Sequence, residues 1–259
     1  LVESFMIAIS LAIAAVLEGL PAVVTLSLAL GMREMVRRHA LIRRLASVET
    51  LGSATVICSD KTGTLTQNVM TVTRLWVDGA PVEVTGGGAT TEGEFRIGGA
   101  PVALAHYPGI ATALWVGVLN NDAQLEVSAD HAGGFRVIGD PTEASILVAA
   151  AKAGVLQDAL HHAYPRRQEI PFDSARKRMV TIHAIEAPVA ADSSPFVDES
   201  HRRAYTVAVK GAPDVVLRLC THYQMLHDAV APLDDRVRQA IATANDAMTH
   251  DALRVLGLA

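Results

Sequence analysis

The sequence predicts an α/β protein assembled from unlike parts: a long apolar helix, a connector, the first strand of an open sheet, and a separate α+β domain. Three observations carry this. The first 32 residues hold only two charges, Glu3 and Glu18. A run of apolar β-formers, ATVIC at 54–58, stops abruptly at the polar SDKTGT. Beyond residue 73, glycine-punctuated strand-like runs alternate with helix-like stretches. The 259 residues suffice for one large or two ordinary domains.

Composition excludes several classes. Half the chain is hydrophobic, and 22 basic against 27 acidic residues leave a net charge of −5. That is too apolar for a disordered chain and too acidic for a nucleic-acid binder driven by its own positive charge. Two cysteines, Cys58 and Cys220, cannot build a disulfide framework or a four-thiolate zinc site, and suit a reducing compartment.

Residues 1–32 read as a transmembrane helix. At 1.5 Å per residue they reach roughly 45–50 Å, more than a ~30 Å hydrocarbon core requires. The stretch has no basic n-region and no small-residue cleavage site, so it reads as a span rather than a signal peptide. Arg33, Arg37, Arg38, Arg43 and Arg44 follow it, which places everything after about residue 32 in the cytoplasm. We therefore expect an integral protein of the cell membrane.

Inside the span, Glu18 is costly unless it faces a polar path, a partner or an ion. It stands in EGLP, where Pro21 deprives the Leu17 carbonyl of its helical donor and Gly19 lets the backbone unwind. A carboxylate beside loosened carbonyls suits a hard cation. A kinked span whose glutamate is protonated or paired with another helix competes with that reading. Residues 33–53 follow as a cytoplasmic stalk, patterned as an amphipathic helix, whose arginines can also hold anionic lipid headgroups.

The chemistry starts at residues 54–73. A buried parallel strand over 54–58 would carry Asp60 to its carboxyl end, where reactive groups collect in open α/β sheets. Gly63 permits a tight turn, and backbone amides there can face phosphate oxygens. A carboxylate is ionised at pH 7 and can attack phosphorus. Lys61 can offset charge near the phosphoryl group, and Mg²⁺ is expected because that group carries several negative charges. Cys58 is expected to be a small buried residue of the strand, and Cys220 likewise.

The run CSDKTGTLTQNVMTV resembles the phosphorylation motif of P-type ATPases, within the haloacid-dehalogenase-like superfamily. The resemblance implies the start of a Rossmann-like phosphorylation domain, with Asp60 as the phosphorylated aspartate. It also implies that Asp60 and the Thr62 carbonyl help to hold Mg²⁺. Soluble phosphatases of the superfamily generally place a second aspartate two positions after the nucleophile. Thr62 stands there instead, and without that acid–base group the acyl phosphate should persist.

The span supports the same family. VLEGLPAVVTLSLALGM resembles the fourth transmembrane helix of type II, calcium-pump-like cation pumps, whose pattern is PEGLP. By that resemblance Glu18 and the carbonyls of Ile13, Ala14 and Val16 ligate the transported cation, with Ca²⁺ the first choice. Leu17 replaces the first proline. Its amide can still donate to Ile13, so that carbonyl is expected to be less available.

Residues 74–259 are expected to form a nucleotide-binding domain with an antiparallel sheet. Runs such as TRLWVDG and EFRIGG suggest hairpins, and a helix is expected around 109–120. Three motifs follow. GDPTE at 139–143 opens a helix with Thr142 or Asp140 as its cap. IPFDSARKRM at 170–179 joins an aromatic ring to basic residues before a strand over 180–183. KGAPD at 210–214 follows a strand over 205–209. Their order resembles the nucleotide domain of type II pumps. The resemblance assigns ATP contacts to Glu143, Phe172, Lys177, Lys210 and Arg254, with Phe172 stacking on adenine. Ser174 occupies a place where the family sometimes has arginine, and Arg176 or Arg178 can substitute. A polar loop over 192–203 is left without a role. His161 and His162 are expected at the surface or at a helix end.

The family also carries TGE, TGD and GDGxND segments, an actuator domain and further membrane helices, none of which occurs in this sequence. We therefore expect a fragment, inactive alone, whose partners are ATP, the cation, the bilayer and the remaining segments of its own protein. A nucleotide-binding regulatory or degenerate membrane protein, and a soluble phosphatase, are the competing readings.

Overall fold

The computed structural model describes residues 2–88, 90–127, 135–186, 205–227 and 229–259, without the side chains of 15–18. The chain divides into two compact units, Leu1–Leu65 and Thr66–Ala259. The polar loop over 192–203 lies outside the described residues.

In the first unit α1 (Val2–Arg37) is one helix of 36 residues. Its described side chains are largely exposed, and it is long and apolar enough to cross a membrane. The expected unwinding at Gly19 is not formed, and the helix runs through Pro21. A proline removes one rung of the ladder, which the bonds on either side can tolerate. The Thr25 hydroxyl donates to the Pro21 carbonyl at 2.7 Å.

The stalk also departs from expectation, because its helix is broken. His39 turns left-handed (φ 63°), and α2 (Ala46–Gly52) starts afresh. Five arginines crowd residues 33–44, and Glu34 alone offsets them, pairing with Arg37 and Arg38. α2 lies against the end of α1, where a Cβ added to Gly31 would sit 3.4 Å from Val48.

Residues 54–58 form no strand. Val56 is 75% and Ile57 90% exposed, and Cys58 is exposed rather than buried. A parallel strand takes its hydrogen bonds from neighbouring strands, and the described residues of this unit include none. The Rossmann-like sheet is thus not formed here.

The second unit is α+β with antiparallel pairing throughout. β1 (Arg74–Val77), β2 (Ala80–Val84), β3 (Phe95–Ile97) and β4 (Ala100–Pro101) make one meander, confirming the expected hairpins. α3 (Pro108–Leu119) is the central helix, with Ile110, Leu114, Val118 and Leu119 almost wholly buried. β5 (Gln124–Val127) and β6 (Phe135–Ile138) pair next, followed by α4 (Pro141–Lys152) and α5 (Gln157–Ala163). α4 closes tightly on α3: a Cβ added to Gly117 would fall 2.5 Å from the Ile146 side chain. Trp115 meets Tyr164 edge to face at 5.6 Å.

The second sheet runs in the order β12-β9-β8-β7. It comprises β7 (Arg166–Asp173), β8 (Arg178–Ala184), β9 (Tyr205–Gly211) and the short β12 (Gly257–Leu258). α6 (Pro213–Leu219), the hairpin β10 (His222–Gln224)–β11 (Val230–Pro232) and α7 (Asp235–His250) lie between β9 and β12 in sequence. On β8 alternate residues are buried, so Met179, Thr181 and His183 share the inner face.

His183 is wholly buried, and its Nδ1 lies 2.8 Å from the Tyr164 carbonyl. That contact assigns the ring hydrogen to Nδ1, and Nε2 is enclosed without a hydrogen-bond partner of ordinary geometry among the described residues. His161 and His162 both stand in the last turn of α5, as expected, His162 exposed and His161 half-buried with its Nε2 enclosed. Burial, with Arg166 nearby, pushes both His161 and His183 below the ordinary histidine value of 6.5. As pH falls below that value the unfolded chain takes up protons that the folded chain refuses. Urea unfolding should therefore show stability constant above about pH 7 and falling toward pH 5, by up to ~1.4 kcal/mol per pH unit for each such proton. His183→Gln should flatten the slope.

Candidate functional site

A polar cluster forms where α3, α4 and β9 meet. Asp140 caps α4, accepting hydrogen bonds from the amides of Thr142 (2.7 Å) and Glu143 (3.3 Å). Burial opposes its charge, but these bonds and the nearby Arg254 hold its carboxyl below the usual range. The cap sets Glu143 in the first turn of α4, where the helix dipole favours a carboxylate.

Lys210 reaches the cluster from β9. It is only 7% exposed, and its Nζ donates to Glu143 Oε1 at 2.7 Å and to the Asn120 carbonyl at 2.5 Å. A buried ammonium needs an anion and fixed acceptors, and both are present. The second Glu143 oxygen accepts the Asp122 amide at 2.9 Å. Two of the residues assigned to nucleotide contact, Glu143 and Lys210, thus meet directly.

Phe172 and Lys177 lie on the β7–β8 hairpin. Phe172 is 63% exposed, which leaves its ring open to solvent. The tip is held by the Asp173 side chain, which accepts the amides of Ala175 and Arg176. Lys177 is exposed and left-handed (φ 51°). Its carbonyl accepts the Ala212 amide at 2.9 Å, which ties the hairpin to the start of α6. Arg176 is exposed and donates to the Pro171 carbonyl, while Arg178 is half-buried.

Gly211 explains the glycine of KGAPD. A Cβ there would lie 2.5 Å from the Lys177 carbonyl oxygen and 2.7 Å from the Arg178 Cβ. Arg254 is exposed three residues before β12, whose Leu258 pairs with Lys210. The chain therefore returns beside the cluster.

Sequence reasoning overlooked Asn120, Asn121 and Arg166. Asn120 is fully buried and bridges the carbonyls of Met179 (3.1 Å) and Ala208 (2.7 Å), on adjacent strands. Asn121 donates to the Glu143 carbonyl at 2.9 Å. The available signal was NND at the end of an otherwise apolar helix, since buried amides must find partners. Arg166 carried little local signal, because three of its four acceptors lie more than forty positions earlier in the chain and only Glu169 is near in sequence.

The remaining candidates belong to the first unit. Residues 13, 14, 16 and 18 lie along α1. Asp60 is exposed, followed by a turn in which Thr62 is extended (φ −79°, ψ 124°) and Gly63 left-handed (φ 73°). That φ confirms the turn role of Gly63. Among the described residues, no three His, Cys, Asp or Glu side chains gather as a metal site.

Residues 110–259 match the family model of the P-type ATPase cytoplasmic domain N. The chain belongs to the P-type ATPase family. It is 40% identical over 262 residues to a cation-transporting ATPase of Synechocystis sp., covering 99% of this chain and 26% of that protein. It is 36% identical to a calcium-transporting ATPase of Bacillus subtilis, covering 100% of this chain and 27% of the relative. Human calcium-transporting ATPase type 2C member 1 is 37% identical, with 100% and 26% covered. The chain spans about a quarter of the length of these relatives.

Gly211→Ala should force the hairpin away from α6. Thermal or urea unfolding should show a loss of about 1–3 kcal/mol, as overpacked sites do.

Proposed function

We propose that this chain supplies the ATP-docking and phosphoryl-accepting parts of an ATP-driven cation pump, acting as a segment of a longer polypeptide. The observation that carries this is the buried Lys210–Glu143 pair, on the same sheet system as the exposed Phe172, within the region matching domain N. In this reading Phe172 stacks on adenine. Lys210 and Glu143 line the pocket as a neutralised pair, and Lys177 and Arg254 are the exposed cations left for the phosphates.

Asp60 is the acceptor. One of its carboxylate oxygens attacks the γ-phosphorus, the bond from that phosphorus to the bridging oxygen breaks, ADP leaves, and an acyl phosphate remains. The exposure of Asp60 and the Gly63 turn leave it accessible to a phosphoryl group. The Asp60 carboxylate and the Thr62 carbonyl are oxygen donors of the kind that suits Mg²⁺, which commonly binds through one or two carboxylates plus substrate phosphates. When bound, Mg²⁺ would neutralise charge on the transferring group.

The cation would be held in α1 by Glu18 with the carbonyls of Ile13, Ala14 and Val16. Ca²⁺ is the proposed ion. An oxygen-only ligand set supports this, as do two of the named relatives being calcium-transporting ATPases. We place α1 across the cell membrane with the arginine-rich end cytoplasmic.

In the full-length protein, γ-labelled ATP should give acid-stable, hydroxylamine-sensitive label that Asp60→Asn abolishes. Unaltered labelling of that variant would defeat the assignment. Phe172→Ala should weaken ATP binding by about 1–3 kcal/mol, the worth of one base–aromatic stack, measured by calorimetry.

A further inference from the structure

The turn over residues 119–122 makes three hydrogen bonds to the Lys210–Glu143 pair or its backbone. The Asn120 carbonyl accepts from Lys210, the Asp122 amide donates to the Glu143 carboxylate, and the Asn121 side chain donates to the Glu143 carbonyl. The Thr181 hydroxyl and the Asn120 and Asn121 side chains help to hold the turn, and a guanidinium on the strand β7 joins its two ends. Arg166 Nη2 donates to the carbonyls of Asn121 (2.6 Å) and Leu119 (3.3 Å), and Nη1 to the carboxylates of Asp122 (2.6 Å) and Glu169 (2.8 Å). The carbonyls of 119 and 121 go to Arg166, while the one between them goes to Lys210. The peptide group joining Asn121 and Asp122 is therefore shared, its carbonyl held by Arg166 and its amide donated to Glu143.

We propose that Arg166 is a positioning residue of the nucleotide site, holding the 119–122 turn so that Lys210 and Glu143 keep one geometry. This rests on the nucleotide reading given above. Arg166 is a quarter exposed and touches neither Lys210 nor Glu143 by any hydrogen bond among the described residues, so its influence passes through the turn. A lysine preserves the charge and much of the stem but not the planar fork, and it cannot serve two carbonyls and two carboxylates at these positions. Charge alone is thus insufficient for the role.

The test is a double-mutant cycle read by ATP binding to the chain in calorimetry, with unfolding followed in parallel to confirm that each variant is folded. Lys210→Met should weaken ATP binding. Arg166→Lys should weaken it by about tenfold, or 1.4 kcal/mol. The double variant should bind no worse than Lys210→Met alone, since Arg166 acts through the pair. Arg166→Gln should match or exceed the loss in Arg166→Lys; if it does not fold, Arg166→Lys alone decides. Wild-type affinity in Arg166→Lys, or losses that simply add in the double variant, would overturn the positioning role while leaving the nucleotide site standing. Unchanged affinity in both Lys210→Met and Phe172→Ala would instead overturn the nucleotide reading, and the positioning role with it.

Discussion

A lysine that is 7% exposed dictates much of the architecture around it. Taking an ammonium out of water is costly unless an anion and fixed dipoles replace the hydration. Here the anion is Glu143 and the dipole is the Asn120 carbonyl. Each must arrive from a different element. Glu143 comes from the first turn of α4, set by the Asp140 cap, and Asn120 from the end of α3. Lys210 comes from β9, which β12 and β8 flank. Loss of either partner would strand a buried charge, so the junction ties helix, sheet and turn to a single arrangement.

Legibility in the sequence followed the range of the interactions. Local signals were read correctly. Asp140 caps α4, the hairpins after residue 73 form, α3 spans the expected stretch, and Gly63 adopts positive φ. Each of these depends on neighbours within a few residues. The Lys210–Glu143 contact joins positions 67 apart, and the family resemblance named both residues without showing that they pair. Arg166 was invisible, because an arginine on a half-exposed strand reads as solvated until its acceptors are known. Gly211 was read as part of a motif, and its reason emerged only from the approach of the Lys177 carbonyl.

The first unit failed in the opposite way: its local pattern was right for partners the described residues do not provide. ATVIC has the composition of a buried strand, yet Val56 and Ile57 are exposed, because strand character is a property of a sheet rather than of five residues. The stalk shows a second limit. Apolar spacing favoured one amphipathic helix, but the chain turns at His39 and α2 starts afresh. The unwinding expected around EGLP rested on Pro21 and on Gly19, which permits unwinding without forcing it. One missing donor does not unfold a helix that keeps every other rung.

The division between exposed and buried residues bears on how a nucleotide would be held. Phe172 is mostly exposed and needs no rearrangement to meet an aromatic base, whereas the Lys210 ammonium is already satisfied. A phosphate approaching Lys210 would have to displace Glu143, whose carboxylate is fixed at both oxygens. The pair therefore shapes and neutralises the pocket better than it attracts charge. In the proposed reading, attraction for the phosphate tail would fall to exposed cations such as Lys177 and Arg254, whose fields are screened by water and salt. Affinity built from one stacked ring and screened charges is moderate. In the proposed pump, that would suit a site that releases its nucleotide each time the terminal phosphoryl group has been handed on.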